Sequence, residues 1–102
     1  MPETEYRLSP KAINDLQNIW DYLSPLSERA ADVLIENIHK KITSALDFPM
    51  QRSPRPKLGP KARILIEGQY VIVCEPADYG LFVVTVVHGR RRPDDWPKHT
   101  KT

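Results

Sequence analysis

The hydrophobic periodicity of this sequence changes near its midpoint, and that change limits the folds open to the chain. Between Ser9 and Leu46, apolar residues recur every three or four positions, as on one face of a helix. Between Ala62 and His88, β-branched and aromatic runs are separated by short turns, which is typical of strands. With 102 residues, the chain is long enough for one core but not for two. The sequence therefore predicts a single α+β domain over residues 1–102.

The first half predicts a short strand followed by a helical hairpin. Residues 5–8 alternate polar and apolar side chains, as a strand does. The pair Ser9-Pro10 supplies an N-cap and a first helical residue for a helix over residues 10–24. Its apolar stripe consists of Ile13, Leu16, Trp20 and Leu23. Ser27 caps a second helix over residues 28–47, and the short link favours an antiparallel hairpin.

The second half predicts an antiparallel meander. A proline-rich, basic linker covers residues 50–61. Strands are then predicted over residues 62–67, 70–75 and 81–88, and a basic C-terminal tail over residues 89–102. The order β-α-α-β-β-β predicts a two-layer α+β fold, in which the helical hairpin packs on a small, mainly antiparallel sheet.

Both faces of this predicted sheet are apolar. A sheet with one wet face alternates apolar and polar residues, whereas Val71 to Cys74 and Leu81 to Val84 are apolar throughout. The helices can cover only one face. Either β-propensity alone placed valines on the other face, or another protein chain covers it, since large exposed apolar patches mark interaction sites.

Positive charge is concentrated in the second half of the chain. The formal net charge is only +2, but residues 1–47 carry five Lys/Arg against eight Asp/Glu, and residues 48–102 carry ten against five. The linker precedes one strand and the arginine run Arg90 to Arg92 follows another, so we expect a meander to bring both to one end of the sheet. Such a cluster binds phosphate or carboxylate groups, or forms a solvated rim.

Few residues could carry catalytic or metal chemistry. His39, His88 and His99 are far apart and Cys74 is the only cysteine, so we expect no metal, no cofactor and no intrachain disulfide. His88, at a strand end beside Arg90, is either a half-exposed end residue or a general base. The acidic start and the lack of an apolar run of about 18 residues lead us to expect a cytoplasmic protein that does not enter a membrane.

Four segments together resemble a known toxin family. They are, in chain order, SPKAINDLQNIWDYL, RPKLGPKAR, GQYVIV and VVHGRR, spread between Tyr6 and Trp96. Their order is similar to that of the ParE branch of the RelE/ParE toxin superfamily, whose β-α-α-β-β-β fold agrees with the fold predicted above. The resemblance implies a growth-arresting toxin of a bacterial type II toxin–antitoxin system, of the kind that serves plasmid stabilisation. A ParD-like or other small DNA-binding antitoxin would neutralise it.

The resemblance leaves three functions to be distinguished. ParE-like members block DNA gyrase and cut nothing themselves. RelE-like members cut mRNA on the ribosome with a basic cluster and, commonly, a C-terminal Tyr or His. Here the aromatic residue after the arginines is Trp96, which cannot transfer a proton, so gyrase inhibition is favoured. A ribosome-dependent RNase using His88 and Arg90 is the alternative, and a non-toxic member that only binds its antitoxin is the third possibility.

The same resemblance assigns roles to two groups of residues. Arg90, Arg91 and Arg92 would form the effector edge. The full set expected to bind the target is Arg90, Arg91, Arg92, Trp96, Arg55, Lys57, Lys61 and Arg63. The set expected to bind the antitoxin on the open sheet face is Val71, Val73, Leu81 and Val83, and the helical groove is the alternative surface for the antitoxin tail.

Overall fold

The predicted α+β class and the order of the elements are confirmed. A computed structural model describes residues 5–47, 53–54 and 61–90 of the chain. Within these residues, helices α1 and α2 span Pro10–Leu23 and Glu28–Ala45. The strands are β1 Glu5–Leu8, β2 Ser53–Pro54, β3 Arg63–Glu67, β4 Tyr70–Ala77 and β5 Gly80–His88. The two-residue β2, inside the predicted linker, is the one element that the sequence did not predict.

The five strands form one mixed sheet in the order β1-β5-β4-β3-β2. Strands β3, β4 and β5 form the predicted antiparallel meander, and β2 adds to the free side of β3. Strand β1 pairs with β5 in parallel, from Glu5 opposite Gly80 to Leu8 opposite Val83. A crossover is needed to place two parallel strands side by side, and here the helical hairpin lies within the long connection between β1 and β5.

Helix α1 begins where β1 ends, and Ser9 makes the junction. The Ser9 side chain accepts a hydrogen bond from the Ala12 amide at 2.9 Å, as an N-cap does. The same hydroxyl donates to the Val84 carbonyl at 2.6 Å, and the Ser9 amide donates to the Val83 carbonyl at 2.9 Å. One residue therefore caps the helix and fixes its first turn against the edge of β5, just beyond the last residue that β1 pairs.

The hairpin packs on one face of the sheet and forms the main core there. Helix α1 contributes Ala12, Leu16 and Ile19, and α2 contributes Ile38 and Ile42. The stripe predicted for α1 is wrong in two positions, because Ile13 is 56% exposed and Trp20 is half-buried at the rim. Successive helical residues are about 100° apart, so Ile13 lies about 100° from Ala12 and about 120° from Ile19, outside the buried face that these two residues share with Leu16. Trp20 instead donates its indole N–H to Asp32 of α2 at 2.9 Å.

The opposite face of the sheet carries a second apolar cluster. It consists of Ala62, Ile64, Val71, Val73, Val84 and Val87, with Phe82 packed against it. Strand β5 contains a bulge opposite this part of β4. Val73 pairs with Thr85 but Cys74 pairs with Val83, so Val84 is an extra residue. The unbroken apolar runs in β4 and β5 therefore supply both faces.

Candidate functional site

The strand register separates the basic residues that we expected to lie together. Arg63 pairs with Cys74, and Cys74 pairs with Val83, whereas the residue before the Gly89-Arg90 turn, His88, pairs with Tyr70. Val83 and His88 are five positions apart, or about 16 Å along β5. For the described residues Lys61, Arg63 and Arg90 the expectation of one basic end is therefore wrong, because β3 and β5 run in the same direction and the start of one and the end of the other lie at opposite ends of the sheet.

The remaining basic residues divide as follows. At the first end, Lys61 is exposed, and the Arg63 guanidinium donates through Nη1 to the Ala62 carbonyl at 3.1 Å. At the other end, the Arg90 side chain is exposed. The other members of the expected target-binding set lie outside the described residues; they are Arg55, Lys57, Arg91, Arg92 and Trp96.

A cleft of about 720 Å³ opens beside Arg90, between helix α1 and the ends of β4 and β5. Residues of α1, of the β3–β4 turn and of the end of β5 line it. They are Lys11, Asp15, Asn18, Ile19, Tyr22, Leu23, Gln69, Tyr70, Val86, Val87, His88 and Arg90. Its volume lies within the range of about 300–1,000 Å³ usual for ligand pockets. Of the residues that the sequence singled out, His88 and Arg90 are brought together here.

A buried carboxylate, that of Asp15, ties the wall of this cleft together. Its Oδ2 accepts a hydrogen bond from the Val86 amide at 3.0 Å and another from the Thr85 hydroxyl. Its Oδ1 pairs with the Lys11 ammonium one helical turn earlier. Strand β1 ends opposite Val83, so the edge of β5 beyond it has no strand partner on that side. The Asp15 side chain takes the place of that partner and holds α1 against the edge.

The imidazole of His88 is held by hydrogen bonds at both nitrogens. Nδ1 lies 3.1 Å from the Arg90 backbone N–H, which can only donate. Nδ1 therefore carries no proton in this arrangement, and Nε2 carries the one that it donates to the Gln69 side-chain oxygen at 3.0 Å. Tyr70 packs edge-on against the same ring, with centroids 5.2 Å apart. The ring thus connects Gln69 to the turn that leads to Arg90.

Two phenol groups converge on the cleft. Burial raises the pKa of Tyr70 above its ordinary value of 10.0, and the neighbouring phenol of Tyr22 raises it further. Tyr22 itself is 72% exposed. Near neutral pH the Tyr70 hydroxyl therefore keeps its proton, and a phenol hydroxyl can donate as well as accept hydrogen bonds.

The four residues expected to contact the antitoxin do not share a face. Val71 and Val73 belong to the cluster on the face away from the helices. Leu81 and Val83 belong to the main core beneath the helices and are fully buried. All four side chains are buried, and a partner could reach Leu81 and Val83 only if the helical hairpin moved.

Sequence reasoning missed most of the cleft. Asp15, Asn18, Tyr22, Gln69 and Tyr70 were not singled out. Asp15 could have been found from its spacing. It stands three residues after Ala12 and four before Ile19, which places it on the buried face of α1. A carboxylate at such a position needs a partner, because an unpaired buried charge is costly.

Other kinds of site find no support in residues 5–47, 53–54 and 61–90. No group of three His, Cys, Asp or Glu residues there could hold a metal ion. Neither of the two described helices is long and apolar enough to cross a membrane.

Comparison with known proteins finds a matching family and a similar fold. The family model described as the ParE toxin of the type II toxin–antitoxin system parDE matches residues 6–93. The fold is similar to a solved structure titled "Chromosomal ParDE TA system from P. aeruginosa", with a TM-score of 0.71 and 16% sequence identity. That alignment covers 86% of this chain and 98% of the other. A search of curated proteins finds no match.

Proposed function

The chain belongs to the ParE toxin family of type II toxin–antitoxin systems, and we propose that it arrests growth in the cytoplasm by inhibiting DNA gyrase until a small cognate antitoxin binds it. Inhibition of this kind requires a surface that binds the target tightly. It requires no proton transfer, and this is where it differs from cleavage of mRNA on the ribosome.

The observation that carries the proposal is the state of His88. A general base must have a free, unprotonated nitrogen within hydrogen-bond reach of the proton it removes. In His88 the unprotonated Nδ1 is taken by the Arg90 amide, and the protonated Nε2 is taken by Gln69. Using Nδ1 as a base would break the bond that holds the Arg90 turn. This supports a role for His88 in positioning Arg90.

Among the described residues that line the cleft, Asp15 is the one with a carboxylate, and its oxygens are also engaged. Its oxygens are held by an ammonium, a hydroxyl and a backbone amide. Arg90, by contrast, is exposed at the mouth of the cleft and begins the run of three arginines. The end of β5 therefore offers charge for binding rather than a group for proton transfer, which supports inhibition.

We place the antitoxin on the sheet face away from the helices. Val71 and Val73 lie there, and Ile66 of β3 lies on the same face because it is two residues from Ile64 of the second cluster. Val71 and Val73 are themselves buried, at 5% and 1% exposure, so a partner would contact the rim of this cluster at Ile66, which is 52% exposed. A stable toxin–antitoxin pair would bury about 1,000 Å² or more.

The test is a supercoiling assay with purified gyrase, run beside a growth assay and a primer-extension assay for mRNA cleavage. We expect the wild-type protein to arrest growth and inhibit supercoiling while mRNA stays intact. His99→Ala should keep most toxicity, and His88→Ala should lose only the part that depends on the hydrogen bond to the Arg90 turn, with mRNA still intact. His88→Asn serves as a control, because the Asn carbonyl can still accept the Arg90 amide hydrogen bond but cannot serve as a base.

Simultaneous replacement of Arg90, Arg91 and Arg92 by Gln should abolish inhibition. Losing one partner of a desolvated charge pair costs about 2–5 kcal/mol, enough to silence an inhibitor. Losing a general base costs about 10²–10⁴ in rate, enough to silence a nuclease. Site-specific mRNA cleavage that disappears in both His88 variants would establish the RNase function instead. Normal growth at confirmed expression would identify a non-toxic member.

A further inference from the structure

The polar groups lining the cleft fall into two sets, one engaged within the protein and one available to a ligand. Lys11, Asp15, Gln69 and His88 are engaged with one another or with the backbone. The side chains of Asn18, Tyr22, Tyr70 and Arg90 make no hydrogen bond or ion pair in the described part of the chain. The engaged side chains hold the walls of the cleft together, and the available side chains are those that can form hydrogen bonds to a ligand.

Among the described lining residues, the charges of the cleft favour a ligand with a negatively charged group. The ammonium of Lys11 is neutralised by the Asp15 carboxylate, which is itself fully occupied by donors. Arg90 is thus the unpaired cation among the described lining residues. One guanidinium presents a fork that fits one carboxylate with two parallel hydrogen bonds.

The floor and walls of the cleft add an apolar requirement. Ile19 and Val86 lie at its base and are buried. The phenols of Tyr22 and Tyr70 and the amide of Asn18 flank this floor and provide both donors and acceptors. Alternating donors and acceptors around an apolar floor suit a polypeptide, whose backbone offers both N–H and C=O groups and whose side chains can reach the floor.

A nucleotide fits the same features less well. Single-stranded nucleic acid is bound by bases stacked on aromatic faces along a positively charged groove, whereas the buried part of this cleft is aliphatic, formed by Ile19 and Val86. The occupant is therefore a protein segment.

We propose that this cleft receives a short acidic segment of the toxin's target protein, with a carboxylate on Arg90, an aliphatic side chain on the Ile19–Val86 floor, and backbone hydrogen bonds to Asn18 and Tyr22. The assignment rests on the proposed function, because it identifies which surface of the toxin the target contacts. The target is the occupant, not the antitoxin, because the cleft is continuous with Arg90, where the arginine run begins.

The experiment uses the full chain and single substitutions at exposed positions of α1. Asn18→Ala and Tyr22→Ala should each raise the concentration needed for half-inhibition of gyrase supercoiling by at least about tenfold, as anchors of an interface do. Asn14→Ala is the matched control, since Asn14 is also exposed on α1, one helical turn earlier, but does not line the cleft. Its half-inhibition concentration should stay at the wild-type value, and all three variants should bind the antitoxin normally.

A photo-crosslinking arm tests the chemistry of the occupant. A benzophenone amino acid at position 22 should crosslink to the target, and mass spectrometry should locate the crosslink beside an acidic residue. A crosslinked segment without an acidic residue overturns the proposal. So does full inhibition by Asn18→Ala and Tyr22→Ala, or a loss confined to antitoxin binding.

Failure of the proposed function gives a different pattern. If the wild-type chain arrests growth but leaves gyrase active, gyrase is not the target, and the same variants are compared by growth arrest. Loss of arrest in the two cleft variants, with Asn14→Ala still toxic, then upholds the cleft as the target site. Arrest retained in all three variants overturns it, as does a wild-type chain that arrests nothing.

Discussion

At the scale of single residues, Asp15 determines how the end of β5 is held. A carboxylate on the buried face of a helix is expensive unless donors surround it. Here the donors come from the neighbouring turn of α1 and from the backbone and side chain of β5. Removing the carboxylate leaves the Val86 amide and the Thr85 hydroxyl buried without an acceptor.

We predict that Asp15→Ala lowers the free energy of unfolding by about 2–4 kcal/mol, because hydrogen bonds to a charged group are lost and buried donors are left unpaired. Asp15→Asn should cost less, since its carbonyl keeps one acceptor. The matched control is Asp21→Ala, which removes an exposed carboxylate bonded to Gln17 on the same helix and should change stability by less than about 0.5 kcal/mol. Urea denaturation of the three variants measures the difference, and equal costs at both positions would show that Asp15 is not structurally special.

The residue scale also shows what the sequence could not supply. Ser9, Pro10 and Ser27 were readable as helix starts, because capping depends on local chemistry. The available groups of the cleft were not, because Asn18, Tyr22 and Tyr70 are unremarkable in sequence and meet only after α1 docks on β5. His88 was recognised as a candidate, but its commitment to Gln69 depends on the pairing of two strands.

At the scale of elements, β1 sits unusually close to the start of β5, and Gly80 allows it. A Cβ at position 80 would lie 2.0 Å from the Glu5 carbonyl oxygen, and the φ of Gly80 is +137°, a conformation that residues with a side chain rarely adopt. The turn glycine Gly68 also has a positive φ, +59°, but an added Cβ there would meet nothing within 4 Å.

We predict that Gly80→Ala destabilises the protein by at least about 3 kcal/mol and disturbs the pairing of β1 with β5, since it combines a steric clash with backbone strain. Gly68→Ala should cost only the left-handed conformation, about 1–2 kcal/mol. Thermal unfolding compares the two, and hydrogen exchange at the β1 amides reports the pairing directly. A Gly80→Ala protein as stable as Gly68→Ala would mean that β1 can shift away without cost.

The strand directions explain the largest difference between expectation and structure. A meander reverses direction at each turn, so the start of β3 and the end of β5 must lie at opposite ends of the sheet. That conclusion needed only the order of the strands, yet the concentration of charge suggested one basic cluster. Whether Leu81 and Val83 share a face with Val71 and Val73 did depend on the register and its bulge, which no local pattern reveals.

At the scale of the whole molecule, the two-layer fold separates the surfaces proposed for the two partners. The cleft and Arg90 lie where α1 meets the end of β5. The cluster proposed for the antitoxin lies on the opposite face of the sheet, which the helices do not cover. Substitutions should therefore weaken one interaction and spare the other.

The last prediction uses two isoleucines of nearly equal exposure on opposite layers. Ile66→Glu places a charge at the rim of the second cluster, where antitoxin binding would have to desolvate it, and should weaken antitoxin affinity at least about tenfold. Ile13→Glu is the control, since Ile13 is 56% exposed on α1 and Ile66 is 52% exposed on β3. Isothermal titration gives the affinities, and co-expression gives the biological readout. Cells producing Ile66→Glu should stay arrested when the antitoxin is present, because gyrase inhibition survives, whereas Ile13→Glu should still be rescued. A loss of antitoxin affinity only in Ile13→Glu would show that the antitoxin binds the helical layer instead.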